Sequence, residues 1–240
     1  MLYEALCCKK IWYNEGKHKL EGAMIFILMI LISLVFVWKI WSFYESNYYV
    51  ESGNNYRRTV VNSQKYNQYL TFRCLQKMEV YQRILLNVNL SKDDDSTAVV
   101  PILSISNRGV VLVEAMNCRG FIHGDESSLI WTQTLPGGSK KNFYNPVWQI
   151  KGQIKAFNRF FDGEYSRVLS SFVVFNGISN INGIGTNNQN VRIVKRNRLF
   201  KALVSDKEAM KLTNEEVDRI YNALEAYSCD EDDPMSLHKV

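Results

Sequence analysis

The sequence has no C-x-x-C pair, and none of its cysteines is spaced with histidine in the manner of a zinc site, so a structural metal framework has no support in Cys7, Cys8, Cys74, Cys118 and Cys229. Three of these fall in the candidate globular part. An odd number argues for reduced thiols and a cytosol-facing domain rather than a disulfide scaffold. The vicinal pair Cys7-Cys8 would be open to acylation beside a membrane, although no sequence rule requires it. The Gly- and Asn-rich run GISNINGIGTNN is followed by no Gly-Lys-Ser/Thr, which makes it a surface loop and not a phosphate cradle. No internal repeat is present. A large excess of one charge is missing too: 29 basic against 24 acidic side chains leave +5 in 240 residues. That balance tolerates contact with phosphate or anionic lipid but falls short of a dedicated nucleic-acid binder.

The most telling absence is local. From Gly22 to Trp38 no residue is charged, and GAMIFILMILISLVFVW is apolar on every face. Its 17 residues sit at the lower end of what crosses the hydrocarbon layer, about 17–25. Lys39 can snorkel while Ile40, Trp41, Phe43 and Tyr44 extend the helix through an aromatic belt. A cleaved signal peptide would have a shorter apolar region and small residues at its end. The sequence therefore divides into a leader at 1–21, a membrane-spanning helix at 22–44, a juxtamembrane linker or start of a helix at 45–63, a globular domain at 64–200, and a C-terminal helix with an acidic tail at 201–240. The flanking positive charges do not choose an orientation.

What is present in the globular part centres on AVVPILSISNRGVVLVEAMNCRG, residues 98–120. It reads as two apolar strands joined at Ser106-Asn107-Arg108-Gly109, with one carboxylate, Glu114, near the end of the second. An unpaired ion in such a setting costs several kcal/mol, so Glu114 needs a partner or a task. Upstream, Tyr66, Leu70, Cys74 and Leu75 have helical spacing, and Val80 to Leu90 reads as a strand. The acidic run Asp93-Asp94-Asp95 reads as a solvated loop. Downstream, Trp131 is expected in the core. Asn145-Pro146 opens a helix whose Ile150, Ile154, Phe157 and Phe161 share a face. SSFVVF at 170–175 and Val191 to Val194 are further strands. Thr213 with Glu216 caps a last helix, and Asp230-Glu231-Asp232-Asp233-Pro234 ends it. This order predicts an α/β fold with a mixed central sheet flanked by helices.

Several pieces in sequence resemble the nuclease-related (NERD) domain, a branch of the PD-(D/E)XK nuclease superfamily often found with an N-terminal membrane helix. They are the strand pair VVPILSIS and GVVLVEAMN, then Arg119-Gly120-Phe121-Ile122-His123-Gly124, Trp131, Asn145-Pro146-Val147-Trp148-Gln149 and SSFVVF. The resemblance implies a restriction-endonuclease-like fold. It also implies phosphodiester hydrolysis at a divalent metal shared by an Asp and a Glu on adjacent strands, with a Lys two residues after the Glu. The spacing of two keeps Glu and Lys on one strand face.

Laid on this chain, the resemblance keeps the Glu as Glu114 but puts Val100 at the Asp position and Met116 at the Lys position. The Glu expected on the first helix corresponds to Asn67 or Gln68. One carboxylate is a poor Mg²⁺ site, so Glu114, with Gln149 as a neighbour, is expected to be the remnant of a dismantled site, with no metal and no cofactor. Migration of the missing groups to Asp95, Lys151 or Lys155 is disfavoured by distance or by helix facing. The expected function is that of a single-pass membrane-anchored, catalytically inactive nuclease-related protein acting by binding nucleic acid or protein. Lys140, Lys141, Lys151 and Lys155, with Arg192, Lys195, Arg196 and Arg198, are the basic residues that would do so. The alternative is a Mg²⁺- or Mn²⁺-dependent DNA/RNA nuclease with a rearranged active site.

Overall fold

The computed structural model describes residues 2–92, 96–185, 190–205 and 212–228, with side chains from residue 21 onward. Asp93-Asp94-Asp95, Cys229 and the acidic run 230–234 lie outside these, as do the side chains of Cys7 and Cys8. The chain divides into two units, residues 1–45 and 46–240. The first is helix α1, Leu2–Tyr44. Its stretch Glu21–Tyr44, 24 residues, is long and apolar enough to cross a membrane. At 1.5 Å per residue it measures about 36 Å, against a hydrocarbon thickness of about 30 Å.

The second unit begins with short helices α2 (Tyr48–Ser52) and α3 (Tyr56–Val61), in the stretch expected as linker, and continues into α4 (Ser63–Leu75). Tyr48 is fully buried and packs edge-on against Tyr69 and Phe72 at 5.3 and 5.4 Å. The buried side of α4 is Lys65, Gln68, Tyr69, Phe72 and Leu75, whereas Tyr66 is exposed and Leu70 half-buried. The apolar spacing of Tyr66, Leu70 and Cys74 therefore marks the less buried face. Gln68 can face inward because its amide is fully engaged there, as described below.

Strands β1 (Gln82–Ser91), β2 (Thr97–Ser106), β3 (Gly109–Met116), β7 (Leu169–Phe175) and β9 (Val191–Lys195) form a five-stranded sheet in the order β1-β2-β3-β7-β9. The β1-β2 and β2-β3 pairs are antiparallel; β7 lies parallel to β3, and β9 parallel to β7. The hairpin turn falls where Asn107 and Gly109 predict it. Gly109 has φ +123°, and a Cβ there would meet the Val168 carbonyl oxygen at 2.4 Å. Helix α5 (Pro146–Phe160), with Pro146 in its first turn and Asn145 capping it, packs on β1, β2, β3 and β7. Helix α7 (Asn214–Glu225) carries the Thr213–Glu216 capping box and packs on β1 and β2. Helix α4 lies on β2 and β3, and α6 (Arg196–Val204) on β7 and β9.

One central sheet was expected, and a second is present. Strands β4 (Gly120–His123), β5 (Ile130–Thr134), β6 (Lys140–Tyr144) and β8 (Ser179–Asn180) make a four-stranded sheet in the order β6-β5-β4-β8. It grows out of the first, because β4 follows β3, β8 follows β7, and both pairs run parallel. Trp131, fully buried, points inward from β5 and stacks on Phe175 of β7 at 6.4 Å and 4°. Beside it, a Cβ on Gly124 would stand 2.3 Å from the indole. The fold is thus mixed α/β, with two mixed sheets flanked by helices.

Candidate functional site

The central sheet carries an interruption that places the site. Strands β1 and β2 hold one register throughout, with Leu86 opposite Ile102 and Val88 opposite Val100. Between them, Asn87 has φ 51° and Pro101 has no N–H to give to the ladder. Ordinary alternation would send residues an odd number apart to opposite faces. Here Leu85, Leu103 and Ile105 on one side of the break and Val88, Leu90, Ala98 and Val100 on the other all enter the same core. The pleat has therefore turned over in both strands at once.

Gln68 of α4 fills this break. Its Nε2 donates to Asn87 Oδ1 at 2.9 Å and to the Pro101 carbonyl at 2.8 Å, and its Oε1 accepts from the Tyr48 hydroxyl at 2.9 Å. Of the two first-helix candidates it is thus Gln68 that reaches the strands. Asn67 instead accepts from Arg196 Nη1 at 2.6 Å.

Glu114 lies one step beyond the last β2-β3 ladder pair, Ile102 with Val113, which sets it beside Pro101, and it neighbours Val173 on β7. Its residue exposure is 8%, and burial pushes its pKa up to about 7, against a smaller lowering by the Gln153 hydrogen bond. Gln153 Nε2 donates to Glu114 Oε2 at 2.6 Å and to the Val99 carbonyl at 3.0 Å. Gln149, expected at this place, is exposed. The reason is helical phase: Gln153, four residues on, lies about 40° further round toward the packed side. The sequence did hold a signal for it, since Gln153 sits three residues from both Ile150 and Ala156 on the buried side.

Val100 is fully buried in the core, and Met116 is half-buried and packed against it. A divalent cation, which the resemblance to nuclease-related domains implies, does not fit these residues. Glu114 is a lone carboxylate. The Val99 carbonyl and the Glu114 carboxylate, the oxygens a cation would need, both already receive an N–H from Gln153. Among the described residues no group of three or more His, Cys, Asp or Glu is placed to hold a metal.

The basic residues do not converge as one cluster of free charges. Lys140 and Lys141 are exposed on β6, and Lys155 is exposed on α5. Lys151 is ion-paired to Glu126 at 2.6 Å. Arg192 lies over the Phe172 ring at 5.0 Å and donates to the Ala202 carbonyl, and Arg196 holds Asn67, so both tie elements together. Lys195 is half-buried and Arg198 exposed. An open cleft of about 510 Å³ beside Lys151 and Glu126 is also lined by Asp125, Trp148 and Gly183. Asn145 Nδ2 organises its rim by donating to the carbonyls of Asp125, Glu126 and Ser128.

Comparison with known proteins addresses the same stretch. Residues 61–176 match the nuclease-related domain family, NERD. An uncharacterized protein of Bacillus anthracis is 28% identical over 141 residues, which is 59% of this chain and 65% of that protein's length. The chain thus spans a little under two thirds of that relative. No solved structure matches the chain. The matched residues 61–176, just under half of the chain, contain the central hairpin, Glu114 and Gln153, so it is the site itself that is similar to the nuclease-related (NERD) domain family.

Proposed function

We propose that this is a membrane-anchored nuclease-related protein that binds nucleic acid without cleaving it. The observation that carries this reading is the occupation of the remnant site: an amide donor, Gln153, stands against the Val99 and Glu114 oxygens, while Val100 and Met116 add apolar volume. Removing one acid-base group alone lowers a rate by about 10²–10⁴, and losing the metal removes the activation of phosphate and water together. Glu114 then acts as a buried polar anchor between sheet and helix. Helix Glu21–Tyr44 supplies the anchor in the bilayer, and the free thiols of Cys74 and Cys118 support placing the domain on the cytoplasmic side. Binding of this kind needs no cofactor. The test is incubation of the full-length protein, in uncharged detergent, with labelled DNA and RNA and with Mg²⁺ or Mn²⁺. Retention of intact nucleic acid is expected. Cleavage that is lost in Glu114→Ala would overturn the reading.

A further inference from the structure

The second sheet has one face buried and one face open. On the inner face Trp131 and Ile122 are fully or almost fully buried, while on the outer face Phe121, Ile130 and Tyr144 are 55%, 48% and 43% exposed. The register explains the division. Phe121 pairs with Thr134 and Thr134 with Lys140; His123 pairs with Thr132 and Thr132 with Asn142; Ile130 pairs with Tyr144. Directly paired residues share a face. Phe121, His123, Ile130, Lys140, Asn142 and Tyr144 therefore project from one side of three adjacent strands. On the middle rung Thr132 Oγ1 donates to Asn142 Oδ1 at 3.0 Å.

We propose that this outer face of the β6-β5-β4-β8 sheet is a docking platform for single-stranded nucleic acid, with Phe121 and Tyr144 as stacking surfaces and Lys140 at the backbone. The inference rests on the reading above that the domain binds nucleic acid, and it names the surface and the strandedness. Charge complementarity selects the occupant. The four strands contain no Asp or Glu at all, while the outer face carries Lys140 and His123; Lys141, paired with Gln133, belongs to the other face. A polyanion meets no repulsion on the strands themselves. Exposed rings held on a hydrogen-bonded sheet offer sequence-tolerant stacking to unpaired bases, whose faces a duplex keeps covered. Asn142 and His123 between the rings supply hydrogen-bonding groups for base edges.

The test uses full-length protein in uncharged detergent and measures fluorescence anisotropy of a labelled oligothymidylate and of a duplex of equal length. The single strand is expected to bind more tightly. Phe121→Ala with Tyr144→Ala should weaken it by roughly a hundredfold, about tenfold per ring, with an unchanged salt dependence. Lys140→Gln should flatten the salt slope by about 0.7 instead. Phe121→Trp with Tyr144→Phe preserves both rings and should retain affinity, which separates stacking from misfolding. If the parent protein binds and the double alanine variant binds equally well, the platform is wrong while nucleic-acid binding stands. Binding of neither probe by the parent protein overturns both. A face that binds anionic vesicles through Phe121 and Tyr144, but no oligothymidylate, overturns the platform in favour of a membrane-apposed surface.

Discussion

The side-chain amide of Gln153 stands 2.6 Å from Glu114 Oε2 and 3.0 Å from the Val99 carbonyl, so one group ties helix α5 to both strands of the central hairpin. Its other atom, Oε1, is buried without a donor. A neutral Glu114 carries the O–H that such an acceptor lacks, and burial raises the carboxyl pKa to about 7, so the proton is held well above the usual range.

Glu114 should therefore make stability depend on pH. The folded carboxyl ionises near 7 and the unfolded one near 4.5, so the folded state holds more protons between these values. Stability contributed by the neutral form is complete below about 4.5 and is lost as the pH rises through about 7. Glu114→Gln keeps the shape and gains an N–H for Gln153 Oε1, so it should abolish this slope. Above pH 7 it should stabilise by up to about 3 kcal/mol, at ~1.4 kcal/mol per pH unit. Thermal unfolding across pH checks this; parallel profiles for parent and variant would contradict it.

Gln153→Leu removes the donor shared by Glu114 and Val99. It should cost about 1–3 kcal/mol and push the Glu114 pKa higher still, because the lost hydrogen bond favoured the ionised form. Gln149→Leu, one turn earlier on the exposed side, should change stability by less than about 0.5 kcal/mol. Denaturant titrations of the two variants at one pH distinguish them.

Gln68→Ala should cost about 1–3 kcal/mol as well, since it takes the amide donor from Asn87 Oδ1 and the Pro101 carbonyl at the turned-over pleat and leaves the Tyr48 hydroxyl with the Lys65 carbonyl at 3.3 Å. Amide exchange in β1 and β2 around residues 86–88 and 100–102 should speed up selectively. Uniform protection in those segments would show that Gln68 does not hold the break.

Much of this was legible in the sequence, and the gaps have physical causes. The turn at Asn107 to Gly109, the Asn145-Pro146 helix start and the Thr213–Glu216 box are local signals, and local geometry obeys them. Val100 and Met116, apolar in the sequence, lie in or against the core. Gln153 was missed because both glutamines flank the apolar stripe, and the spacing that separates them counts only when the small Ala156 is read as part of that stripe. The polar inner face of α4 defeats a hydrophobic pattern, since Gln68 is buried by partners 19 and 33 residues away. The second sheet escaped notice because its strands are 2–5 residues long and one face carries aromatic residues into solvent.

The two units lead to a separate expectation. Removing residues 1–45, which include the apolar stretch, should leave 46–240 folded and free of membranes, because Tyr48, Gln68, Phe72 and the two sheets all lie in the second unit. Fractionation of the full-length and shortened chains checks this. Membrane retention of the shortened chain would show a second membrane-binding surface.

The most direct test follows one labelled single strand with the full-length protein in Mg²⁺, reading anisotropy and strand length in the same sample. A bound strand of unchanged length, equally intact with Glu114→Ala, is the predicted result. Progressive shortening with the parent protein that stops in Glu114→Ala would show a working nuclease and contradict the dismantled site.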